Sequence, residues 1–232
     1  MLDLKYSTKI GQGRSSVVFL SEGLVIKRVE KALFRKEESE ILRELSHPCI
    51  IKNFRIFEEA FYVYIELEYF LGKNLYDWRM NKSLEKDDMF YKIIAQLLDV
   101  VKYLHNKDVI HGDLSVTNVL INDACEVKLI DFGNCSKTYN ENNSVGTFAF
   151  LSPELLSGEV KRINKMSELW ALGMLIFVVL TGNIPFLGHN ENTLYHRIMN
   201  SKISYKNVPK KYKKLLKSLL RKKYKKRKII DF

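Results

Sequence analysis

The stretch that decides the fold is His111-Gly112-Asp113-Leu114-Ser115-Val116-Thr117-Asn118, which is followed by Asp131-Phe132-Gly133. Asp113 is a carboxylate that can orient a hydroxyl nucleophile or accept its proton. Asn118 and Asp131 offer oxygen atoms of the kind that Mg²⁺ prefers. Each of these residues alone is also common in ordinary loops. The three together, in this order and spacing, predict a metal-assisted catalytic site.

The residues that precede this stretch indicate nucleotide binding. Gly11-Gln12-Gly13 lies within a strand-like stretch, where glycine lets backbone N–H groups approach a phosphate, although tight turns use glycine too. Lys27 follows on the next predicted strand and can pair with phosphates if a carboxylate holds it. Glu38, which lies on a predicted helix eleven residues later, is the candidate for that carboxylate.

The hydrophobic periodicity predicts an α+β fold with two unequal lobes. Residues 1–67 are predicted as strands with one helix, residues 68–73 as the connection, and residues 74–232 as a larger helical lobe. The first lobe's helix is expected over Leu33–Leu45, and Asp87–His105 shows an amphipathic pattern in the second. A chain of 232 residues with 46% hydrophobic residues can bury such a core, and this excludes an intrinsically disordered protein.

The composition also bears on the cellular compartment. Three cysteines do not suit a disulfide framework and favour a reducing environment. The first nine residues lack the basic and apolar regions of a secretory signal. The longest uncharged apolar run, Leu169–Leu180, is too short to span a bilayer. We therefore expect a protein without a transmembrane segment that is located in the cytoplasm or the nucleus.

The net charge of +11 is concentrated near the end of the sequence. Residues 197–230 contain fifteen Lys and Arg and no Asp or Glu, whereas residues 1–196 carry a small negative net charge. One interpretation is a docking surface for an acidic partner, with nucleic acid the less expected ligand. The other, more usual for such a pattern, is a solvated helix face. The apolar positions of that helix would be Tyr212, Leu215, Leu216, Leu219 and Leu220.

Over nearly its whole length the sequence resembles a eukaryotic protein kinase of the Ser/Thr type. The motifs described above occur in the family's order. They are followed by Ser152-Pro153-Glu154 and by Leu169-Trp170-Ala171-Leu172-Gly173, which matches the central helix of the family's large lobe. Arg227 lies where the family has an arginine that pairs with the Glu154 position. The resemblance therefore implies the bilobal protein kinase fold and a Glu154–Arg227 ion pair.

The resemblance also implies the site, residue by residue. ATP and Mg²⁺ are the implied cofactors, and a hydroxyl group of a protein is the implied substrate. The catalytic residues would be Lys27, Glu38, Asp113, Asn118 and Asp131, of which Asn118 and Asp131 would hold the metal. Leu67 would be the gatekeeper beside the adenine, and Glu68–Phe70 would be the hinge. The residues around the nucleotide would be Gly11, Gly13, Ser16, Val18, Val25, Lys27, Leu67, Glu68, Phe70 and Leu120.

Within the superfamily the most specific partial resemblance is to the catalytic domains of 3-phosphoinositide-dependent protein kinases. It is carried by Ser16 in the glycine loop and by Val145-Gly146-Thr147 before the Ser-Pro-Glu motif. No part of the chain resembles that family's lipid-binding domain. The sequence ends just past Arg227, so the family's last helix is expected to be missing or vestigial.

Four positions depart from the family pattern, and one of them is Phe150, which replaces a common tyrosine. Gly112 replaces an arginine that binds a phosphate on the activation segment, which runs from Asp131 to Glu154. Ser115 replaces a lysine that steadies the transferred phosphoryl group. Glu168 replaces an aspartate that holds the catalytic loop, and adds one methylene group. From Gly112 we predict activity that is largely independent of a phosphate at Ser144. Lys137 and Lys36 are the two cations that could otherwise bind such a phosphate.

Two other functions stay open at this point. A pseudokinase that scaffolds a complex would keep the fold without the chemistry, although Lys27, Asp113, Asn118 and Asp131 are all present here. A small kinase or ATPase of a tRNA-modification complex shares His-Gly-Asp-Leu and a basic C-terminus. That family lacks a full activation segment, whereas the sequence around Val145–Leu156 is intact.

Overall fold

A computed structural model describes residues 6–13, 16–81, 87–138 and 146–231 of the chain. The first part forms a five-stranded antiparallel sheet in the spatial order β1-β2-β3-β5-β4. β-Branched and aromatic residues dominate its inner strands, as expected for a half-buried pleated surface. The strands are β1 (Thr8–Gln12), β2 (Ser16–Ser21), β3 (Leu24–Glu30), β4 (Asn53–Glu59) and β5 (Tyr62–Glu68).

The strand register places four of the predicted nucleotide-site residues on one face of this sheet. Lys27 in β3 lies opposite Val18 in β2 and Ile65 in β5, and Val25 lies opposite Leu67. Directly opposite residues of antiparallel strands share a face, and so do residues two apart on one strand. Val18, Val25, Lys27 and Leu67 therefore point to the same side of the sheet.

The helix of the first lobe, α1, spans Lys36–Glu44 and packs Ile41 and Leu42 into the core. The predicted helix over Leu33–Leu45 was too long at its start. Residues 31–33 form a separate 3₁₀ turn in which Leu33 is 53% exposed, and Arg35 has extended backbone angles. The extended backbone places the Arg35 side chain outside the helix, where it makes contacts that no local pattern contains.

The second part is mostly helical and is built around one buried helix. That helix, α5, is buried from Ser167 to Thr181 and contains the apolar run Leu169–Leu180. The Asn164 side chain caps its first turn, and Gly182, in the left-handed region, ends it. No helix among the described residues has the length and apolarity needed to cross a membrane. The helices are α2 (Leu75–Met80), α3 (Asp87–Asn106), α4 (Pro153–Leu156), α5 (Lys165–Thr181), α6 (Glu191–Asn200) and α7 (Lys213–Leu219).

Five short strands form the surface on which the predicted motifs lie. They pair into a three-stranded sheet of order β6-β8-β9 and a two-stranded sheet of β10 with β7. The connection predicted over residues 68–73 runs from the last residue of β5 to the first residue of β6. The strands are β6 (Lys73–Asn74), β7 (Val109–Ile110), β8 (Val119–Ile121), β9 (Val127–Leu129) and β10 (Ser136–Lys137).

The buried ion pair expected in the large lobe is present. Arg227 donates from its two terminal nitrogens to both carboxylate oxygens of Glu154, at 2.5 and 2.7 Å. It also donates to the carbonyls of Met166 and Arg221, and its guanidinium lies over the Trp170 ring. The pair joins the end of the described chain to α4 and to the beginning of α5.

The basic segment, residues 197–230, includes α7 and a final 3₁₀ turn at residues 224–226. The five apolar residues of the predicted helix face, from Tyr212 to Leu220, are all buried. Thirteen of the fifteen Lys and Arg of the segment are exposed, whereas Lys213 is half-buried and Arg227 is buried. The helical part of the prediction is therefore confirmed, and the exposed lysines lie on the outside of the lobe.

Candidate active site

Lys27 joins the sheet to the two other parts of the predicted site. Its Nζ lies 2.8 Å from Glu38 Oε1 on α1 and 2.9 Å from Asp131 Oδ1. Both Lys27 and Glu38 are buried, and the expected ion pair between them is present. Burial acts to lower the pKa of Lys27, but the two carboxylates outweigh it and raise the pKa above its ordinary value. Lys27 is therefore a fixed cation at neutral pH.

Asp131 combines an ionised carboxylate with partial exposure. Burial acts to raise the pKa of its carboxyl group, but the charge and hydrogen bond of Lys27 hold this pKa below its usual range. The backbone has left-handed angles at Asp131, and the side chain is 51% exposed. The next residue, Phe132, is buried against the ring of His111. The motif thus fixes its phenylalanine in the core and leaves its carboxylate accessible.

The β8–β9 hairpin brings Asn118 and Asp131 to the same end of a small sheet. Val119 pairs with Leu129, and the Ile130 N–H donates to the Asn118 carbonyl at 3.0 Å. Asn118 and Asp131 therefore flank the open end of one hairpin, although thirteen residues separate them in the sequence. The β8–β9 hairpin therefore brings the motif that ends at Asn118 close to the motif that begins at Asp131.

Asp113 is held at both carboxylate oxygens. Its Oδ1 accepts from the Thr147 N–H at 2.8 Å and from the Thr147 hydroxyl at 2.7 Å. Its Oδ2 accepts from Asn118 Nδ2 at 3.1 Å, and the same amide donates to the Asp113 carbonyl. The sequence predicted Asp113 and Asn118 but assigned no such contact to Thr147. The position of a threonine after Gly146 was the only signal available for it.

The donor set at this end of the cleft fits Mg²⁺. Asn118 uses its amide nitrogen on Asp113, and Asp131 uses Oδ1 on Lys27, which leaves Asn118 Oδ1 and Asp131 Oδ2 without hydrogen bonds in the described parts of the chain. Mg²⁺ binds to one or two such side-chain oxygens and completes its shell with water and phosphate oxygens. No group of three or more His, Cys, Asp or Glu that could hold a metal ion occurs within the described ranges.

Glu168 supports the catalytic loop despite its extra methylene group. Its Oε1 accepts from the backbone N–H groups of His111, at 2.7 Å, and Gly112, at 3.1 Å. Its Oε2 lies 2.7 Å from His105 Nε2, which the sequence did not single out. The Glu168 side chain thus contacts two backbone N–H groups of the loop and a histidine on α3.

Gly112 and Ser115, which also depart from the family pattern, have clear local consequences. Gly112 has a φ of +82°, and a Cβ atom there would approach the Asn134 carbonyl oxygen to 2.3 Å. The position suits glycine, and it places no cation beside the loop. Ser115 is 1% exposed, and its hydroxyl lies 2.9 Å from that of Thr117. Ser115 therefore supplies no charge to a phosphoryl group.

The predicted nucleotide-site residues fall into two groups. Val18, Val25 and Leu67 share a face with Lys27, as the register shows. Leu67 also lines a small cavity together with Lys27 and Asp131.

Glu68 and Phe70 have a different surrounding. Glu68 Oε1 lies 2.5 Å from Lys128 Nζ and accepts from the Lys52 N–H at 2.9 Å. Its carboxylate is therefore engaged, and the Glu68 N–H also donates to the Lys52 carbonyl at 2.9 Å. The Phe70 ring lies against Gly72, where it would contact any Cβ at that position.

The remaining residues predicted around the nucleotide belong to the glycine loop and to β8. Gly11 lies in β1 opposite Val18, and the Gly13 N–H donates to the Ser16 carbonyl at 2.8 Å. This bond closes the turn between β1 and β2, whose two central residues lie outside the described ranges. Leu120 is half-buried in β8. Ser144 also lies outside the described residues.

Comparisons with known proteins agree with this geometry. The family model described as "Protein kinase domain" matches residues 4–231. A probable serine/threonine-protein kinase KIN1 homolog of Enterocytozoon bieneusi is 33% identical over 79% of the chain and 32% of its own length. Serine/threonine-protein kinase ppk16 of Schizosaccharomyces pombe is 31% identical over 96% and 35%. The 3-phosphoinositide-dependent protein kinase 1 of Homo sapiens is 32% identical over 90% and 40%.

The chain spans about a third of the length of these curated relatives. The partial resemblance to 3-phosphoinositide-dependent kinases is confirmed as one similarity among several of comparable identity. The family match extends from before β1 to beyond Arg227 and includes every motif of the cleft. The chain belongs to the protein kinase family.

Proposed function

We propose that this domain is an active Ser/Thr protein kinase, which transfers the γ-phosphoryl group of ATP to a hydroxyl group of a protein. The observation that carries the proposal is the Asp113 carboxylate, which is oriented at both oxygens by Asn118 and Thr147. A pseudokinase needs no such arrangement. Catalysis of this kind depends on positioning and on electrostatic stabilisation.

Each residue of the cleft has a role in the proposed reaction. Lys27, oriented by Glu38, donates to phosphate oxygens of the nucleotide, and Asp113 accepts the hydrogen bond and then the proton of the substrate hydroxyl. The hydroxyl oxygen bonds to the γ-phosphorus as the bond from that phosphorus to the bridging oxygen breaks, and ADP leaves. Mg²⁺, held by Asn118 and Asp131, would neutralise charge on the phosphates.

The activation segment favours a short nucleophile. Thr147 contacts the Asp113 carboxylate with its backbone and its hydroxyl. A Cβ at Gly146 would lie 2.8 Å from the Gly112 carbonyl and 3.3 Å from Asp113 Oδ1, so this backbone lies directly beside the carboxylate. A serine or threonine hydroxyl reaches such a site from a peptide backbone lying close to Asp113. This supports the Ser/Thr class.

An ATP·Mg²⁺ assay on peptide libraries that differ only in Ser, Thr or Tyr tests this function. We expect transfer to Ser and Thr peptides, and a decrease in kcat of about 10²–10⁴-fold in Asp113→Asn with nucleotide affinity retained. Asp131→Ala should lose metal-dependent nucleotide binding as well. Nucleotide binding without transfer would favour the pseudokinase. ATP hydrolysis without peptide phosphorylation would favour the ATPase of a tRNA-modification complex.

We further propose that the exposed lysines of the basic segment bind an acidic protein. Among the described residues, Lys223, Lys225, Lys226 and Lys228 have no carboxylate partner. Lysines are point charges without the planar fork that recognises phosphate in a bidentate manner, so they fit a diffuse acidic surface. The long-range attraction of such a surface is screened by salt.

A polyglutamate peptide is a suitable probe for the basic segment. We expect Lys223→Gln, Lys225→Gln and Lys226→Gln together to weaken its binding and to flatten the salt dependence. The matched control removes three exposed lysines elsewhere, Lys36, Lys102 and Lys161. Equal weakening of polyglutamate binding by both triple variants would show that the net charge of the protein, and not the basic segment, determines the binding. Binding to anionic vesicles but not to polyglutamate would show that the partner of the basic segment is a membrane surface and not an acidic protein.

A location in the cytoplasm or the nucleus is also proposed. It is supported by Cys49, Cys125 and Cys135, which are all buried and form no disulfide within the described chain. Burial, with a smaller contribution from Asp99, raises the pKa of the Cys49 thiol to about 11, which keeps it protonated and unreactive. Fractionation of cells that express the tagged protein tests the location.

A further inference from the structure

Arg35 connects α1 to Gly133 and Cys135, at the end of the Asp131-Phe132-Gly133 motif and just after it. Its Nη1 donates to the Gly133 carbonyl at 3.2 Å, and its Nη2 donates to the Cys135 carbonyl at 2.8 Å. The same Nη2 donates to Glu37 Oε2 at 2.8 Å, which fixes the guanidinium at the first turn of the helix. The start of α1 is therefore attached directly to the backbone of the activation segment.

Two further contacts extend this connection along the helix. Glu37 Oε1 accepts from the Lys137 N–H at 2.9 Å, and Lys137 Nζ lies 2.6 Å from Glu44 Oε2 at the end of α1. Lys137 belongs to β10, which pairs with Val109 and Ile110 of β7 immediately before the catalytic loop. The helix that carries Glu38, the activation segment and the catalytic loop thus form one connected set.

The charges of this set leave little for a phosphate to add. A phosphate that orders an activation segment needs cations to bind it. Gly112 offers none, the Lys137 ammonium is engaged by Glu44, and Glu37 already presents an anion to the segment.

We propose that Arg35, assisted by the Lys137–Glu44 pair, is a positioning residue that holds α1 where Glu38 reaches Lys27, without a phosphate on the activation segment. This inference rests on the proposed kinase function. The contacts bias α1 toward the arrangement that contains the Lys27–Glu38 pair, because they exist only when the helix lies against the segment. Arg35 acts through Glu38 and need not touch the nucleotide.

The two parts of the connection are expected to differ in strength. The Glu44 side chain is 56% exposed, and exposed ion pairs contribute little. Arg35 is 26% exposed and makes three charge-assisted hydrogen bonds, two of them to fixed backbone carbonyls. The larger effect should therefore follow from the loss of Arg35.

The experiment compares Arg35→Gln, Arg35→Lys and Lys137→Gln, all treated with phosphatase. The matched control is Lys31→Gln, which removes an exposed ion pair with Glu58 in the same lobe, away from the segment. We expect kcat to fall about tenfold or more in Arg35→Gln, with a smaller change in KM for ATP and faster amide exchange in α1. Arg35→Lys should regain part of kcat, Lys137→Gln should lose about two- to threefold, and the control should match the parent.

Two results would overturn the inference. One is a parent enzyme whose kcat falls more than about tenfold on phosphatase treatment, because a phosphate would then be needed. The other is amide exchange in α1 that is the same in Arg35→Gln as in the parent. Amide exchange needs no turnover, so a parent that transfers no phosphate would contradict the proposed function and still leave the exchange to decide whether Arg35 holds the helix.

Discussion

The cleft and the basic segment are both dense in charge, but they use it differently. In the cleft, Lys27 is buried and contacts two carboxylates. In the segment, most lysines are exposed, and one cation alone resembles Lys27: Arg227 is buried, with both terminal nitrogens on Glu154. The comparison shows that burial and a defined partner, rather than the number of charges, decide what a cation contributes.

The physical reason is the local dielectric environment. A pair of charges in water gains little from its attraction and is screened by salt, whereas a buried charge that loses its partner has neither water nor a counter-ion. Arg227 and Lys226 are adjacent in the sequence, but Arg227 is buried and paired with Glu154, whereas Lys226 is exposed. Substitutions at these two positions are therefore the most direct way to test the comparison.

The largest effect is expected for Arg227→Ala. The substitution leaves the buried Glu154 carboxylate unpaired and removes the contacts to the carbonyls of Met166 and Arg221. Loss of one partner of a buried pair typically costs about 3–5 kcal/mol of unfolding free energy. Urea denaturation measures this, with Lys226→Ala as the adjacent control.

The double variant Arg227→Met with Glu154→Met sharpens the same comparison. Replacement of a buried pair by apolar side chains of similar volume is often close to neutral. We expect the double variant to be more stable than Arg227→Ala. If Arg227→Ala unfolds at the same urea concentration as Lys226→Ala, a buried cation contributes no more to stability in this chain than an exposed one.

The second largest effect is expected for Lys27→Met. Loss of a preorganised donor at a developing charge lowers kcat by about 10²–10³-fold. The variant also leaves Glu38 buried without its partner, so it should lose stability as well as activity. The double variant with Glu38→Gln should regain stability but not activity.

Arg28 provides the control for this experiment. It follows Lys27 on β3, lies on the other face of the sheet and stacks on the rings of Phe19 and Tyr62. Arg28→Met removes the same charge from the same strand, and it should leave kcat/KM close to that of the parent. Equal losses of kcat/KM in the two variants would show that the strand, and not the ammonium of Lys27, is what the reaction needs.

The sequence predicted the parts of the cleft that are encoded locally. Loop motifs such as His111–Asn118 have fixed spacing, and the two-residue alternation of β3 places Lys27 with Val25 on one face. The contacts of Arg35 and Glu168 were not predictable in this way. Arg35 reaches carbonyls about a hundred residues away, and Glu168 meets His105 only because α3 packs on α5.

A third, smaller effect is expected for Glu168→Asp, the residue typical of the family. The shorter side chain cannot keep His105 and both loop N–H groups at the observed distances, because Glu168 spans all three. Loss of one hydrogen bond to a charged group corresponds to about a tenfold decrease in kcat/KM. Peptide kinetics check this, with the melting temperature as the structural readout.

The combination of Glu168→Asp with His105→Ala separates the two partners of Glu168. If the loop N–H groups are what matters for activity, the second substitution adds little to the loss in kcat/KM. A Glu168→Asp enzyme that is faster than the parent would mean that the glutamate weakens the loop, and the observed contacts would then have no catalytic importance.

The smallest effect is expected for neutralisation of the exposed lysines. Lys223→Gln, Lys225→Gln and Lys226→Gln should each change the unfolding free energy by no more than about 0.5 kcal/mol. The change should be stabilising at low salt, because like charges are removed from one surface, and the gain in stability should vanish at high salt.

Lys222 is the informative contrast among these neighbouring lysines. Its Nζ donates to the carbonyls of Met199 and Ser201 at 2.7 and 2.8 Å, so Lys222→Gln should destabilise the protein at any salt concentration. If Lys222→Gln changes the unfolding free energy no more than the neighbouring substitutions do, the two hydrogen bonds of Lys222 contribute nothing to stability. Arg227 would then be the one cation of the basic segment that stabilises the protein through a buried partner.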